Sequence, residues 1–189
     1  VPSTAATAEG RLDVLFNSAG VLRMGHFEDL SAEQHRFTLD VNVAGTLQMC
    51  LAALPYLKKA RRPRVINMSS ASALYGVPHL ASYSASKFAV RGLTEALDLE
   101  WRRHGIRVQD LMPPFVNTGM VSKQTFEAPV VRRMGVKLSP DDVAKAAFDA
   151  LRSDQVHVPV GLPFRFTVLL EKVMPQRATR SLMAWLSRD

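Results

Sequence analysis

The chain has 189 residues, of which 47% are hydrophobic, 7% aromatic and 22% charged. These values are typical of one soluble globular domain and exclude a disordered or fibrous protein. The formal net charge is +7, but the basic residues are scattered and not interleaved with aromatic ones, so a nucleic-acid-binding role is not expected.

The cysteine and histidine residues argue against disulfide bonds and metal sites. The single cysteine, Cys50, excludes an internal disulfide framework and a cysteine-rich zinc site. It lies within a helical pattern, which favours a small buried hydrophobe in a reducing, cytoplasmic setting. No metal site is expected, because no metal-ligand spacing relates His26, His35, His79, His104 and His157. The chain also lacks a run of about 18 uninterrupted apolar residues, so no membrane span is predicted.

Strand signals alternate with helix signals along the first half of the chain. Residues 12–16 predict a short strand that ends in the turn Asn17-Ser18-Ala19-Gly20. Ser31 and Gln34 have the spacing of a capping box, and they predict the start of a helix that extends to about residue 59. Residues 64–68 predict a second strand that ends at two serines, Ser69 and Ser70.

The second half repeats this alternation. A helix is expected from about residue 81 to 104, with Gly105 as its C-terminal cap. A third strand over 106–111 is terminated by Pro113 and Pro114, because proline cannot donate to a sheet ladder. The segment 117–138 lacks a clear period and predicts a mobile loop with short helical pieces.

The C-terminal part carries a strong helix-start signal. Ser139-Pro140-Asp141-Asp142 combines a cap, a proline and two acids, and predicts a helix to about residue 152. Residues 156–158 predict a last short strand. The tail 163–189 is helical and basic in pattern and is interrupted at Pro175.

This order predicts the α/β class, with a Rossmann-like parallel sheet and flanking helices. In such sheets, binding sites lie beyond the carboxyl ends of the strands. We therefore expect the chemistry to gather in the turns that follow Phe16, Met68 and Leu111.

Tyr83 and Lys87 are the strongest candidates for catalysis. Their i, i+4 spacing places a phenol and an ammonium on one face of the predicted helix. A nearby positive charge favours the phenolate and would lower the phenol's pKa towards neutrality, as a general acid or base requires. The alternative is a surface tyrosine that packs on a lysine side chain.

Ser70 and Asn42 are further candidates. The Ser70 hydroxyl, at the end of the second strand, could hydrogen-bond an oxygen that develops charge, although a serine pair after a strand is more often a turn or a cap. Asn42 and Gly45 are poor choices for a helix interior and mark a kink, a water site or a close contact. Without the other candidates, Asn42 would be predicted to be a polar residue that faces solvent.

Together these residues resemble the short-chain dehydrogenase/reductase family over about residues 8–160. The turn 17–20 is similar to the family's N-N-A-G turn, and residues 112–118 are similar to its P-G-x-V-x-T segment. The family's catalytic tetrad is matched in order, with thirteen residues from serine to tyrosine, by Asn42, Ser70, Tyr83 and Lys87.

The resemblance implies hydride transfer between a nicotinamide and an alcohol or ketone. Tyr83 would pass the proton, and Lys87 would lower its pKa and hold the nicotinamide ribose. Ser70 would hold the substrate oxygen, and Asn42 would position a water that connects Lys87 to solvent. The implied cofactor is NAD or NADP, and the implied cofactor-binding residues are Asn17, Ala19, Gly20, Tyr83, Lys87, Pro113, Val116 and Thr118.

The chain also departs from the family pattern. Ser18 replaces an asparagine, and Pro114 replaces a glycine, which stiffens the nicotinamide-side loop. The glycine-rich phosphate turn and the three strands that precede it in the family are not found before Leu12, and Val1 is not a methionine. The expected Rossmann-like sheet is thus incomplete, with its first three strands missing. NAD and NADP cannot be distinguished, and the 189-residue chain is expected to bind cofactor poorly and to be inactive by itself.

The expected organisation is residues 1–160 as the C-terminal part of the Rossmann-like domain, with 161–189 as a basic helical tail of the same domain. The resemblance implies a homodimer or homotetramer formed through the helices 31–59 and 81–104, with a small alcohol or ketone as substrate. The rival function is a catalytically silent remnant that acts as an oligomerisation or regulatory module. A third interpretation is a membrane-surface dehydrogenase of lipidic alcohols, against which Pro175 argues by interrupting the tail's apolar face.

Overall fold

A computed structural model describes residues 10–171 and 173–188. Its centre is a parallel sheet of four strands in the order β1-β2-β3-β4. The strands are β1 (Val14–Asn17), β2 (Arg64–Met68), β3 (Arg107–Met112) and β4 (His157–Pro159). The register pairs Asn17 with Asn67 and Met68 with Leu111, so the strands end at a common edge. The predicted α/β class with a parallel, Rossmann-like sheet is confirmed.

Helices connect and cover the strands. They are α1 (Ala32–Leu39), α2 (Gly45–Leu57), α3 (Ala81–Trp101), α4 (Gly119–Ser122), α5 (Pro129–Met134), α6 (Pro140–Ala150), α7 (Leu162–Glu171) and α8 (Gln176–Leu186). The segment predicted as a loop with short helical pieces contains α4 and α5. The tail forms α7 and α8, and Pro175 is the N-cap of α8.

The predicted caps form as the sequence indicates. The Ser31 hydroxyl accepts a hydrogen bond from the Gln34 backbone at 3.2 Å, and the Gln34 side chain accepts one from the Ser31 backbone at 2.8 Å. Ser139 and Asp142 form the same reciprocal pair at the start of α6. Gly105 caps the C-terminus beyond α3 with a φ of +70°, a left-handed conformation that glycine adopts without strain.

One predicted helix is not continuous. The expected single helix over 31–59 is divided by a π-helical segment, Asp40–Ala44, between α1 and α2. A π-helical turn inserts one residue into the helical repeat and rotates the side chains that follow it. Asn42 lies in this segment and is buried, so the kink that its residue type indicated is present and it does not face solvent.

Two hydrophobic clusters hold the helices on opposite faces of the sheet. On one face, α2 and α3 pack through Leu15, Cys50, Leu57, Val65, Trp101, Ile106 and Val108. On the other face, α6 packs through Ile66, Leu111, Val143, Ala150, Val158 and Val160. Burial raises the pKa of the Cys50 thiol to about 11, which keeps it protonated and inert and agrees with its prediction as a small buried hydrophobe.

The helical stretch Ala32–Leu57 is long and apolar enough, by length and composition alone, to cross a bilayer. It contains no uninterrupted apolar run of membrane-spanning length, and it is tied to the rest of the protein through the buried side chain of Asn42. We therefore treat it as a helix that packs against the sheet.

A histidine between two carboxylates joins β3, β4 and α3. His157 Nδ1 is hydrogen-bonded to Asp110 Oδ2 at 3.0 Å, and His157 Nε2 is hydrogen-bonded to Glu95 Oε1 at 2.8 Å. A carboxyl group on each ring nitrogen favours the protonated form of the imidazole. Although burial acts to lower it, the hydrogen bond and the charge of Asp110 raise the pKa of His157. Burial also raises the pKa of Asp110, against the opposing effect of His157.

These shifts predict how stability depends on pH. A histidine whose pKa is raised by folding stabilises fully below its ordinary value of about 6.5, and this contribution is lost as pH rises through the folded value. The raised pKa of Asp110 acts in the same direction. His157→Gln should therefore lower the melting temperature more at pH 6 than at pH 8.5. The control His104→Gln, outside the cluster, should cost no more at pH 6 than at pH 8.5, because the pKa of His104 is lowered in the folded protein. An equal effect of His157→Gln at both pH values would contradict the prediction.

Candidate active site

A cavity of about 270 Å³ lies at the carboxyl edge of the sheet. All three turns named in the sequence analysis contribute to its wall. Its lining residues are Phe16, Ser18, Gly20, Leu22, Met68, Ser69, Ser70, Tyr83, Lys87, Pro113, Pro114, Phe115, Val116, Thr118, Met120, Val121, Pro140, Val143 and Ala144. The polar side chains face a largely apolar wall, an arrangement typical of a small-molecule site.

Tyr83 lies in the first turn of α3 and lines the cavity together with Ser70. The structure thus brings together two residues that are thirteen positions apart in the sequence. Burial raises the pKa of Tyr83, although the interaction with the Ser70 hydroxyl acts to lower it. The phenol is therefore protonated at neutral pH and is able to donate its proton.

Lys87 lies one turn further along α3, and its side chain is buried. Its Nζ donates to the Met68 carbonyl at 2.8 Å and lies 5.4 Å from the centroid of the Tyr83 ring. Burial lowers the pKa of Lys87 from 10.5 to about 8. The prediction that Lys87 lowers the pKa of Tyr83 is wrong for this arrangement, because the burial of the phenol dominates its pKa.

Ser70 is fixed by the backbone that follows β2. Its hydroxyl oxygen accepts a hydrogen bond from the Ser72 backbone at 3.1 Å, which caps a 3₁₀ turn over Ala71–Ala73. The cap interpretation and the catalytic interpretation of this serine are therefore compatible. The cap holds the hydroxyl next to Tyr83.

Asn42 lies immediately behind the cavity. Its side-chain oxygen accepts from the Val21 backbone at 2.8 Å, and its nitrogen donates to the Val21 carbonyl and to Ser86 Oγ, each at 3.0 Å. This clamp joins the helix that contains Asn42 to the turn after β1 and to α3. Ser86 in turn donates to the Tyr83 carbonyl at 2.7 Å, so Asn42 is coupled to the backbone that carries the phenol.

Gly20 lines the cavity between Asn42 and Lys87. A β-carbon at this position would lie 3.3 Å from Asn42 Oδ1 and 3.7 Å from Lys87 Nζ. A side chain at residue 20 would therefore occupy space beside the buried ammonium, and glycine leaves that space open to a ligand.

The loop after β3 forms the opposite wall. The Pro113 carbonyl accepts from the Ala71 backbone at 2.9 Å, and Asn117 donates to the Leu138 carbonyl at 2.8 Å. Val116 and Thr118 line the cavity between these anchors. The two consecutive prolines restrict the backbone of this loop, and the two backbone hydrogen bonds hold it at Pro113 and at Asn117.

Two predicted cofactor residues lie outside the wall of the cavity. The Asn17 side chain points into the sheet, where it donates to Asn67 Oδ1 at 2.9 Å and to Cys50 Sγ at 3.4 Å. Ala19 belongs to the same turn and is not a lining residue. Leu22, Phe115 and Met120 line the cavity but were not predicted, because an apolar side chain in a loop carries no chemical signature in a sequence.

The sequence model of the short chain dehydrogenase family matches residues 2–128, well over half of the chain. The chain belongs to the short-chain dehydrogenase family. Ser70, Tyr83 and Lys87 line one cavity, and Asn42 lies behind the part of its wall that Gly20 forms.

Similar sequences include two enzymes named for lipid-like substrates. This short-chain dehydrogenase is 42% identical over 118 residues to a 3-ketodihydrosphingosine reductase of Bacteroides thetaiotaomicron, a match that covers 62% of the chain and 44% of the relative. It is 43% identical over 117 residues to a 3-alpha-(or 20-beta)-hydroxysteroid dehydrogenase of Mycobacterium bovis, covering 62% of the chain and 45% of the relative. The matched part is thus less than half the length of these relatives.

Solved structures share the fold over most of the chain. A short chain dehydrogenase from Burkholderia cenocepacia in complex with NADP has a TM-score of 0.81 and 27% identity, and covers 95% of this chain and 74% of its own. A Burkholderia phymatum member in complex with NAD has a TM-score of 0.75 and 28% identity, and covers 88% of this chain and 67% of its own.

Proposed function

We propose that the protein is an oxidoreductase that uses NAD or NADP to interconvert an alcohol and a ketone. One observation carries the proposal: Ser70, Tyr83 and Lys87 line one cavity at the carboxyl edge of the sheet. A phenol, a hydroxyl and an ammonium that converge on one cavity can bind a carbonyl oxygen and give it a proton.

Each residue has a distinct role in this proposal. Tyr83 donates its proton to the substrate oxygen during reduction and accepts it during oxidation. Ser70 donates a hydrogen bond to the same oxygen as negative charge develops there. The raised pKa of the phenol keeps the proton on Tyr83 at neutral pH, which is the form that proton donation during reduction requires.

Lys87 and Asn42 support this proton transfer. Lys87 keeps a positive charge near the phenol and loses its proton easily, since burial lowers its pKa to about 8. Asn42 fixes the turn that contains Gly20 through both hydrogen bonds to Val21. In its predicted role it also positions a water that exchanges protons between Lys87 and solvent.

The cavity fits one end of a nicotinamide dinucleotide. The space that Gly20 leaves open lies beside the Lys87 ammonium, where a ribose hydroxyl could accept or donate a hydrogen bond. Pro113, Val116 and Thr118 would hold the carboxamide side, and Asn17 and Ala19 would support the turn behind it. When bound, the nicotinamide supplies or accepts the hydride.

The substrate that we propose is an apolar alcohol or ketone. Leu22, Phe115 and Met120 leave few polar groups to recognise a hydrophilic molecule. The two relatives named for a ketodihydrosphingosine and a hydroxysteroid support the same choice.

We also propose a cytoplasmic homodimer or homotetramer. Exposed apolar side chains on the two helices predicted as subunit contacts support this assembly, among them Phe37, Leu47 and Leu51 on one and Phe88 and Leu99 on the other. A silent oligomerisation module would use the same surface, so activity is what separates the two functions.

The test is a screen of the full-length native protein against long-chain and cyclic ketones with NADH and NADPH. We expect consumption of one reduced cofactor, measured at 340 nm, with apolar ketones and much less with short hydrophilic ones. Cofactor and ketone that both bind, by calorimetry, without turnover would contradict the proposal and favour the silent module.

A further inference from the structure

The helix α7 is apolar on two opposite faces. Phe164 and Val168 pack inward against Ala71 and Met112. The outward face, together with the residue two positions beyond the helix, consists of Leu162, Phe166, Leu169, Leu170 and Val173, and all five are exposed. At about 100° per residue, the four of these side chains that belong to the helix fall within roughly a 100° sector. A stripe of this size is unusual on the surface of a monomer and marks an interaction site.

The next helix, α8, carries further exposed apolar side chains, among them the aromatic residue Trp185. On α8, Met183 is buried and Leu186 packs against the protein, whereas Leu182 and Trp185 are exposed. The Arg133 guanidinium lies 5.9 Å from the centroid of the Trp185 ring, and it also donates a hydrogen bond to the backbone carbonyl of Trp185 at 2.9 Å. Tryptophan with one apolar side and one polar anchor is favoured at the boundary between water and lipid.

The tail that carries these apolar side chains is basic. Residues 161–189 contain five lysines and arginines and two acidic residues, Glu171 and Asp189. The exposed Arg177 and Arg180 lie on the side of α8 away from Leu182 and Trp185, by the same helical spacing. An exposed apolar stripe bordered by cations is complementary to an anionic lipid surface.

We propose that the tail surface, defined as the exposed apolar residues of α7 and α8 with Arg165, Arg177, Arg180 and Arg188, docks on an anionic lipid bilayer. The helices then lie in the plane of the interface, with the apolar stripe among the acyl chains and the arginines at the headgroups. Pro175 does not oppose this arrangement, because it caps α8 instead of breaking one continuous helix.

The charge pattern favours a bilayer over a second copy of the chain. A symmetric dimer through this surface would bring the tail arginines of both copies into one interface, where Glu171 and Asp189 are the acidic residues of the tail that could neutralise them. The excess of positive charge at that interface would be destabilising. An anionic bilayer neutralises the same charges. This inference concerns a surface outside the cavity and does not depend on the proposed reaction.

Vesicle flotation of the 189-residue chain tests the proposal directly. We expect it to float with phosphatidylcholine vesicles that contain phosphatidylglycerol, and not with pure phosphatidylcholine. The double variant Phe166→Ser/Leu169→Gln should abolish flotation, and its two side chains are 63% and 62% exposed, so the fold should tolerate it. The control Phe148→Ser/Phe27→Gln changes two side chains that are each 63% exposed elsewhere, and it should float like the parent chain.

Substitution of basic residues provides a second test of the same proposal. Arg177→Gln/Arg180→Gln should weaken partition into anionic vesicles roughly tenfold or more, whereas Arg61→Gln/Arg62→Gln should leave it nearly unchanged. Circular dichroism checks that each variant is folded. Folded parent chain that stays unbound with anionic vesicles would overturn the proposal. So would a dimer, detected by sedimentation, that Phe166→Ser/Leu169→Gln converts to a monomer, because a second copy would then cover the surface.

Discussion

Tyr83→Phe should lower the turnover of the full-length native protein by about two to four orders of magnitude. The substitution removes only the hydroxyl, the group that donates the proton in the proposed reaction and that lines the cavity with Ser70. The ring and its packing against the neighbouring apolar residues are retained. Steady-state kinetics with the best ketone from the substrate screen measure the effect, and we expect the loss in kcat to exceed any change in KM.

The matched control is Tyr56→Phe, which removes a phenol from α2, away from the cavity. It should leave turnover within about twofold of the parent, because a surface substitution outside the site changes little. Melting temperatures of both variants separate a chemical defect from an unfolded protein. Parent-like kcat in folded Tyr83→Phe would exclude this residue as the proton donor.

Lys87→Met should raise stability while it lowers activity. A pKa lowered by burial from 10.5 to about 8 means that the buried ammonium is unfavourable in the folded state at neutral pH. The shift corresponds to about 3 kcal/mol, and the hydrogen bond to the Met68 carbonyl that the variant loses offsets about 1 kcal/mol of it. We expect the free energy of unfolding to rise by about 2 kcal/mol at pH 7 in urea titrations, and turnover to fall at least about 100-fold.

The dependence on pH identifies the cause of this gain. Between about pH 8 and 10.5 the unfolded chain keeps the lysine proton and the folded protein does not. The parent protein therefore gains stability from this lysine as pH rises through that window. The difference between parent and Lys87→Met should shrink from pH 7 to pH 10. Lys145→Met, which removes an exposed lysine paired with Asp149, should show no comparable gain. A Lys87→Met protein less stable than its parent at pH 7 would contradict the prediction.

The strands and the helix ends were predictable because their signals are local. Arg64–Met68 was predicted to the residue, and the start of α6 follows from a cap, a proline and two acids in sequence. The position of the cavity was predictable as well, because parallel strands place their carboxyl-end turns at one edge. A cavity at that edge contains Ser70, Tyr83 and Lys87.

What the sequence could not predict depends on contacts between distant residues. The π-helical turn at Asn42 is stabilised by hydrogen bonds to Val21 and Ser86, which lie 21 and 44 positions away. The pKa of Tyr83 was predicted with the wrong sign, because the spacing to Lys87 is visible in the sequence and the burial of the phenol is not. The apolar face of the tail was visible in the sequence, but which of its apolar residues point outward was not, since a helix with two apolar faces has no clear polar side.

The helix α3 is a rigid rod of 21 residues, about 31 Å long, that carries the reactive phenol near one end. Further along α3, three side chains are hydrogen-bonded to the sheet. Thr94 is bonded to Asn67, Glu95 to His157, and Asp98 to the backbone of Val108. Loss of one of these hydrogen bonds would let α3 tilt, and a small tilt displaces Tyr83 relative to Ser70. Substitutions that reduce activity should therefore also occur far from the cavity, at the residues that bond the C-terminal half of α3 to the sheet.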